Sequence, residues 1–324
     1  MTLPQIILTV GLSLALLTTA FIIILYWIYA FSFKRAKKDC DKFDGLDSPH
    51  MAPYRDANRR NIAALSALEY EDVYIESADG LRLHARLRLT GEDSPIQLMC
   101  HGYRANPFRD FSGGALEALA HGHSILLIDQ RASLGSEGNT ITFGIKESHD
   151  VLLWAEYLAA RFPKRKIILV GISMGGATVV AASEREMPKN VVCTVADCPF
   201  SVVKDELIHA AGKLGFPRAV YPFIRLSARL FGGFDTEDGD FTKAAANSKL
   251  PILILHGEAD TLVPAVMSRS LEAAAPDKVR YIGFAGAEHG ISYLTDKERY
   301  VDEFYRFIDG YIGDKTGTAP RQRK

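Results

Sequence analysis

The segment 171–175 reads G-I-S-M-G and places the hydroxyl of Ser173 between two glycines. An apolar run, 166–170, precedes it and a helix-favouring run, 177–182, follows it. A serine in a sharp strand-to-helix turn projects above the sheet, and such a turn has room for little more than glycine on either side. The amides and the positive end of the following helix would stabilise an oxyanion. We therefore predict that Ser173 is a nucleophile.

A serine hydroxyl needs a general base, and on a strand-turn-helix framework the chain order is serine, acid, histidine. Asp260 follows the apolar run 251–255, and His289 is the only histidine after it. Each residue would lie at the carboxyl end of its own strand, where catalytic groups gather. The sequence therefore predicts Asp260 as the orienting acid and His289 as the base. Asp197, which follows the run 191–195, is the alternative acid.

An oxyanion hole needs a second N–H donor besides that of Met174, the residue after the proposed nucleophile. The triplet His101, Gly102, Tyr103 follows an apolar run that ends at Cys100. Gly102 permits a close turn of the backbone, so the N–H of Tyr103 is the predicted second donor. We expect His101 to brace this loop through its own hydrogen bonds. The glycine-containing loop 129–138 is assigned a structural role.

The elements that would position these residues are short apolar runs that alternate with helical patterns. Such runs indicate parallel strands that crossover helices bury on both faces, after a hairpin with a turn at residues 78–80. We predict an α/β fold with a mostly parallel, doubly wound sheet. The predicted strands are 73–76, 81–89, 96–100, 124–129, 167–170, 191–195, 252–256 and 279–284, and the clearest predicted helices are 145–160 and 297–312.

The first 33 residues carry no charge, and residues 6–28 alone exceed the roughly 20 apolar residues that a helix needs to cross a bilayer. Three aromatic residues within 26–29 and four cations within 34–38 follow, as at a membrane–water boundary. A cleaved signal peptide is the alternative, although the segment lacks an early positive charge and a small-residue cleavage site. We predict a single transmembrane helix, with the following domain in the cytoplasm by the positive-inside rule.

The composition excludes several classes of protein. Of 324 residues, 48% are hydrophobic, which is enough to bury a large core, and the net charge of -1 offers no attraction to nucleic acid. The four cysteines show neither C-x-x-C spacing nor the density of a disulfide scaffold. No metal-ligand spacing or nucleotide-binding glycine motif is present, so we expect neither a metal nor an organic cofactor. The oligomeric state is left open.

Together, the residues described above resemble the α/β-hydrolase superfamily, over nearly everything after Asp72. The chain is most similar to the bacterial hydrolases described as serine aminopeptidase-like or Bem46-like. This resemblance implies the same triad and the same oxyanion donors. One departure is visible at residues 131–135, which read R-A-S-L-G where relatives often have Arg-Gly or Arg-Ala followed by His-Gly.

We divide the chain into a transmembrane anchor (1–33), a juxtamembrane connector (34–67), an α/β-hydrolase domain (68–313) and a polar basic tail (314–324). Residues of about 200–249 interrupt the strand pattern and predict a small helical lid, or else an ordinary helical insertion. The predicted function is a membrane-anchored serine hydrolase that cleaves an ester-like acyl bond of a small molecule. A peptidase or amidase with the same triad, and a noncatalytic membrane-anchored binding protein, are the alternatives.

Overall fold

The computed structural model describes residues 2–36, 40–49 and 51–313, so the predicted basic tail lies outside the described residues. Its centre is one eight-stranded sheet. The strands are β1 Glu71–Glu76, β2 Arg82–Arg88, β3 Ile96–Cys100, β4 Ser124–Ile128, β5 Ile167–Ile172, β6 Val191–Asp197, β7 Ile252–Gly257 and β8 Val279–Phe284. Their order is β1-β2-β4-β3-β5-β6-β7-β8. β2 pairs antiparallel with β1 and β4, and all other neighbours pair in parallel.

Helices cover both faces of this sheet, which confirms the predicted α/β fold. They are α1 Leu3–Ser32, α2 Arg55–Ser66, α3 Pro107–Asp110, α4 Ser112–Ala120, α5 Glu147–Arg161, α6 Met174–Ala182, α7 Val203–Lys213, α8 Tyr221–Ser227, α9 Phe241–Asn247, α10 Ala265–Ala274, α11 Ser292–Thr295 and α12 Lys297–Ile312. A π-helical turn, Ala228–Gly232, follows α8. The predicted lid segment is thus helical, with α7, α8 and α9 inside it.

Alternating residues of the central strands enter two separate hydrophobic clusters. On β5, Leu169 packs with Trp154 of α5 on one face of the sheet. Its neighbour Ile168 packs on the other face, in the same cluster as Ile308 of α12. All four side chains are fully buried. A strand that is covered on both faces needs apolar residues at every position, which explains the continuous apolar runs in the sequence.

Helix α1 is long and apolar enough to cross a membrane, and most of its large side chains before residue 25 are exposed. Its last turns behave differently, because Leu25, Tyr29 and the following Phe33 are buried against the body. The ring of Phe33 meets that of Phe234 edge-on, with 5.2 Å between centroids. The apolar helix is therefore joined to the body by packing as well as by the chain.

Hydrogen bonds also hold the end of α1 to the loop after β3. The hydroxyl of Tyr103 donates to the carbonyl oxygen of Ser32 at 3.0 Å. The guanidinium of Arg104 donates to the carbonyl oxygens of Ala30 and Lys34, at 3.3 and 2.6 Å. Ala30 and Ser32 lie in the last turn of α1, where carbonyl groups have no partner within the helix, and Lys34 follows the helix directly. The loop after β3 thus caps the apolar helix.

The connector packs onto the body rather than extending away from it. Leu46 and, on α2, Ile62 and Leu65 have exposed fractions of at most 1%. Leu65 belongs to the cluster that lies between the sheet and α4 and α12. The amide of Asn106 donates to the carbonyl oxygen of Cys40 at 3.2 Å. The polar composition of residues 41–67 gave no sign of this packing.

Candidate active site

The turn between β5 and α6 holds Ser173 in a strained conformation, with φ 55° and ψ −120°. The two flanking glycines are required by close backbone contacts. A β-carbon on Gly175 would lie 1.8 Å from the carbonyl oxygen of Cys100, and one on Gly171 would lie 2.1 Å from that of Gly175. A non-glycine residue at positive φ costs energy, which the surrounding contacts must overcome. The serine hydroxyl is thereby presented at the carboxyl edge of the sheet.

The structure brings the three predicted triad residues together. The Nε2 atom of His289 lies 2.9 Å from Oγ of Ser173, and its Nδ1 atom lies 2.6 Å from Oδ2 of Asp260. A carboxylate only accepts hydrogen bonds, so Nδ1 carries a proton and the lone pair of Nε2 faces the serine hydroxyl in neutral histidine. This arrangement can remove the hydroxyl proton.

Asp260 is buried, and four donors surround its carboxylate. The backbone amides of Leu262 and Val263 donate to Oδ1 at 2.8 and 2.9 Å. His256 Nε2 lies 3.1 Å from Oδ2, the oxygen that also contacts His289. Burial raises the pKa of Asp260, but the hydrogen bonds from His256 and His289 outweigh it and hold the pKa well below its usual range. The acid is therefore ionised at neutral pH.

His256 is a supporting residue that the sequence did not single out. Besides Asp260, its Nε2 atom contacts the carbonyl oxygen of Val263 at 2.9 Å, and its Nδ1 atom contacts Oγ of Ser268 at 2.7 Å. These contacts fix the ring, which in turn fixes the carboxylate that faces His289. The i,i+4 spacing of His256 and Asp260 across a strand end was the available signal.

The pKa of His289 is raised above its ordinary value of 6.5. Burial of the ring lowers the pKa, whereas the hydrogen bond and the charge of Asp260 raise it more strongly.

The thiol of Cys198 lies 3.9 Å from Nε2 of His289, and burial raises the pKa of that thiol well above its usual range. The thiol is consequently protonated, and the hydroxyl of Ser173 is the closer partner of the imidazole.

The alternative acid, Asp197, makes no hydrogen bond to the imidazole of His289 in the described part of the chain. Its Oδ2 atom accepts a hydrogen bond of 2.9 Å from the hydroxyl of Tyr300 on α12. Its Oδ1 atom has no hydrogen-bond partner among the described residues. Burial raises the pKa of Asp197 to about 6, against the lowering effect of Tyr300. The contact with His289 Nδ1 is made by Asp260 instead.

The loop after β3 lies beside the serine, as the oxyanion prediction requires. A β-carbon on Gly102 would lie 3.5 Å from Cβ of Ser173. His101 Nδ1 lies 2.8 Å from the carbonyl oxygen of Gly102, and its Nε2 atom accepts a hydrogen bond from the backbone N–H of Gln130 at 3.2 Å. Met174 is the first residue of α6, where amides have no acceptor within the helix. Tyr103 and Met174 thus flank the serine on two elements.

The loop 129–138 is held by buried charges that fit its predicted structural role. Asp129 contacts Nδ1 of His84 at 2.6 Å and the guanidinium of Arg86 at 3.0 Å. Arg131 binds both oxygens of Asp150 on α5, each at 2.7 Å. The histidine–carboxylate pair of His84 and Asp129 was not foreseen, because its members lie 45 residues apart.

A cavity of about 420 Å³ opens beside Ser173 and His289 and runs between the sheet and helices α2, α4 and α12. This volume lies within the range of small-molecule sites. Residues of the connector form part of its wall. Its apolar lining includes Met99, Val170, Val195, Leu262, Val301 and Phe304, and its polar lining includes Asn58, Gln97, Asp197, Tyr293 and Tyr300.

Known proteins share this fold. A family model described as the alpha/beta hydrolase fold matches residues 98–218. The protein bem46 of Schizosaccharomyces pombe is 25% identical over 264 residues, 78% of this chain and 80% of bem46. The Pyrococcus furiosus esterase Pf2001 has a TM-score of 0.62 and 22% identity over 78% of this chain and 94% of its own. A puromycin-hydrolyzing peptidase of Mycobacterium tuberculosis has a TM-score of 0.61 and 18% identity over 78% of this chain and 41% of its own.

Proposed function

Because the chain belongs to the α/β-hydrolase superfamily, as its resemblance indicated, we propose that it is a serine hydrolase that uses Ser173, His289 and Asp260 as its catalytic triad. One observation carries the proposal. The two nitrogens of His289 lie within hydrogen-bond distance of the serine hydroxyl and of an ionised carboxylate, at 2.9 and 2.6 Å. The strained turn at Ser173 supports it, because strain of this kind accumulates at functional sites.

In the proposed reaction, Oγ of Ser173 attacks a carbonyl carbon while Nε2 of His289 takes the hydroxyl proton. The backbone N–H groups of Tyr103 and Met174 hold the resulting oxyanion. Collapse of the tetrahedral intermediate breaks the acyl bond, and the imidazolium returns its proton to the leaving group. Water, deprotonated by the same imidazole, then attacks the acyl carbon, and the acyl–Oγ bond breaks as the imidazolium returns the proton to Oγ of Ser173 and the acid leaves. Asp260 keeps the imidazole in its productive tautomer and stabilises the imidazolium.

We propose an ester-like acyl bond as the target. Two features support this choice: the largely apolar cavity beside Ser173, and the attachment of the domain to an apolar helix that we propose to span a membrane. Leu262, which lines the cavity, is 48% exposed, and three large apolar side chains of the predicted lid, Leu214, Phe216 and Phe223, are exposed as well. An apolar ester dissolved in the bilayer would lie close to this surface. The orientation remains our sequence-based prediction, with the domain in the cytoplasm.

A peptidase or amidase is the second candidate. The structural likeness to a puromycin-hydrolyzing peptidase supports it, although at 18% identity this likeness concerns the fold alone. Matched substrates that differ only in the scissile bond decide between the two. We expect p-nitrophenyl esters of apolar acids to turn over faster than the corresponding p-nitroanilides, and the reverse order would favour the peptidase.

The proposal is tested with the full-length chain in membranes. We expect a fluorophosphonate probe to label the wild-type protein and p-nitrophenyl esters to be hydrolysed, whereas Ser173→Ala abolishes both. Ser270→Ala is the matched control, because Ser270 lies on α10 and, within the described ranges, its hydroxyl donates a hydrogen bond only to the carbonyl oxygen of Met267. Hydrolysis that persists in Ser173→Ala would reject the triad. An unlabelled, inactive wild type would favour the noncatalytic binding protein.

A further inference from the structure

The predicted lid, which packs against α1 through α8, exposes several large apolar side chains. Residues 212–219, between α7 and α8, are exposed throughout, and Leu214 and Phe216 among them have exposed fractions of 57% and 55%. Phe223 on α8 and Leu230 in the π-helical turn follow, at 44% and 59%. We call residues 212–219, Phe223 and Leu230 the lid surface. Large apolar side chains concentrated in one exposed segment mark an interaction site.

Ring contacts join this segment to α1 at two levels. The ring of Phe223 meets that of Phe21 edge-on, with 6.2 Å between centroids. The ring of Phe231 meets that of Tyr26 edge-on at 5.4 Å and lies 5.9 Å from that of Tyr29. The order of the contacts is the same in both elements, so α8 and the π-helical turn run alongside α1 in the same direction. Phe223 therefore lies beside Phe21, and Phe231 beside Tyr26.

These contacts fix the depth of the lid surface in the bilayer that we propose α1 to span. Tyr26 and Trp27 lie where the apolar run ends, and such aromatic residues mark the headgroup level of a spanning helix. An α-helix rises about 1.5 Å per residue, so Phe21 lies roughly 7–8 Å deeper than Tyr26. Because Phe223 contacts Phe21, it shares this depth. The start of α8 cannot occupy this position without entering the membrane.

The charges of the segment suit a lipid partner. Four cations and no acidic residue lie within residues 213–234: Lys213, Arg218, Arg225 and Arg229. Asp235 contacts the last two. Lys213 binds uncharged oxygens of Thr261, and Arg218 is exposed, so the segment keeps positive charge. Cations beside exposed apolar residues are typical of segments that lie at a membrane surface, and the cytoplasmic leaflet is anionic.

We propose that the lid surface docks into the bilayer that α1 spans, with its apolar side chains at the boundary between headgroups and acyl chains. Lipid is the partner because α1 places the start of α8 at this depth. The inference rests on the proposed span of α1 and does not require the hydrolase function. Thr261, which Lys213 and His209 contact at 2.8 and 3.0 Å, directly precedes Leu262 of the cavity wall. The docked surface therefore adjoins the cavity.

Fluorescence quenching in nanodiscs tests this depth with the full-length chain. Single cysteines are introduced into a Cys40→Ser background, because the other three native cysteines are buried. Each new cysteine is labelled with the fluorophore NBD before reconstitution. Phe216→Cys and Phe223→Cys report on the lid surface, at two positions that are exposed and outside the cavity wall.

Two further labels serve as controls. Leu89→Cys replaces an apolar residue that is 37% exposed and lies at the opposite edge of the sheet, since the preceding Arg88 pairs with Ile125 near the start of β4. Leu14→Cys lies on α1, where the native side chain is 59% exposed, and tests the span itself.

Nanodiscs of phospholipids that are brominated in the acyl chains are compared with unbrominated nanodiscs. We expect bromination to reduce the emission from residues 14, 216 and 223 by at least about half and to leave the emission from residue 89 nearly unchanged. Iodide in the aqueous phase is expected to give the reverse order, with strong quenching at residue 89 and little at the other three positions.

Three results overturn the inference and differ in what else they change. If residue 14 is quenched by brominated lipid but residues 216 and 223 are quenched by iodide, α1 spans the bilayer and the lid surface lies in water. Protection of both lid positions from iodide without quenching by brominated lipid means that protein, such as a second copy of the chain, covers the surface. If residue 14 is not quenched by brominated lipid, the proposed span fails and the inference fails with it. Ser173-dependent hydrolysis of p-nitrophenyl acetate in the same samples reports separately on the proposed function.

Discussion

The proton on Nδ1 of His289 decides whether the neighbouring serine can react. In the wild-type chain, Oδ2 of Asp260 accepts a hydrogen bond of 2.6 Å from this N–H group. In Asp260→Asn, the amide can donate to Nδ1, which moves the ring proton to Nε2 and removes the acceptor that faces Ser173. We expect kcat for an ester to fall by roughly a thousand-fold to ten-thousand-fold with little change in KM. A larger loss in Asp197→Asn than in Asp260→Asn would make Asp197 the catalytic acid.

The raised pKa of His289 predicts how activity depends on pH. The imidazole acts as a base only when it is neutral, so activity is lost as pH falls through its pKa. Because Asp260 raises that pKa above 6.5, we expect the acidic limb of kcat/KM to lie above the ordinary value for histidine. A pH–rate profile with an acidic limb below 6.5 would contradict the charge coupling between His289 and Asp260.

The sequence predicted Ser173, Asp260 and His289 because each has a local signal: a glycine-flanked turn, or a position just after an apolar run. The structure brings the three side chains together, while their catalytic roles remain proposals. Asn58 had no such signal, because its place in the cavity wall depends on how α2 packs against the body. Asp197 was recognised by its position after β6, but its contact with Tyr300 joins residues 103 apart in the chain.

At the scale of elements, the loop 129–138 depends on a buried ion pair. Arg131 and Asp150 have exposed side-chain fractions of 5% each and are bound through two hydrogen bonds. Removing one partner leaves an uncompensated buried charge, so we expect Arg131→Met to reduce the free energy of unfolding by about 3–5 kcal/mol. Urea denaturation measures this change.

A double variant supplies the control for that prediction. Arg131→Met combined with Asp150→Leu removes both charges and fills the space with apolar atoms, so we expect it to be more stable than Arg131→Met alone. If the double variant loses more than the single variant, Asp150 stabilises the fold through contacts other than its ion pair with Arg131.

The strands of the parallel sheet were predicted closely, since continuous burial on both faces imposes uninterrupted apolar runs. The predicted run 252–256 lies within β7 Ile252–Gly257, and 279–284 matches β8 Val279–Phe284. The connector was harder to interpret, because Leu46, one of its buried residues, stands singly among polar ones. An isolated apolar residue has no periodicity, so only the folded structure shows that it is buried.

For the whole molecule, the buried end of α1 predicts where the anchor can be removed. Deleting residues 1–22 keeps Leu25, Tyr29 and Phe33, whose rings and side chains pack on the body. Deleting residues 1–33 removes all three. It also exposes Phe143 and Phe234, whose rings pack against Phe33. Loss of a buried aromatic residue costs about 3–5 kcal/mol, so we expect the longer deletion to melt roughly 10 °C below the shorter one.

Differential scanning calorimetry in detergent compares the two deletions directly. Equal melting temperatures would show that the last turns of α1 add nothing to the stability of the body. The full-length chain in the same detergent is the reference, and we expect it to melt close to the shorter deletion because residues 3–22 make few contacts with the body in the described structure.

If α1 spans a membrane, as we propose, the hydrogen bonds from Tyr103 and Arg104 to its end connect the proposed oxyanion loop to the lipid environment. A spanning helix tilts when its apolar length exceeds the hydrocarbon thickness, and thinner bilayers increase the tilt. Any change in tilt shifts the carbonyl groups that Tyr103 and Arg104 bind, and the amide of Tyr103 lies in the same loop. We expect the rate of ester hydrolysis in vesicles to vary with the acyl length of the host phospholipid. The activity of the proposed enzyme would then depend on the thickness of its membrane.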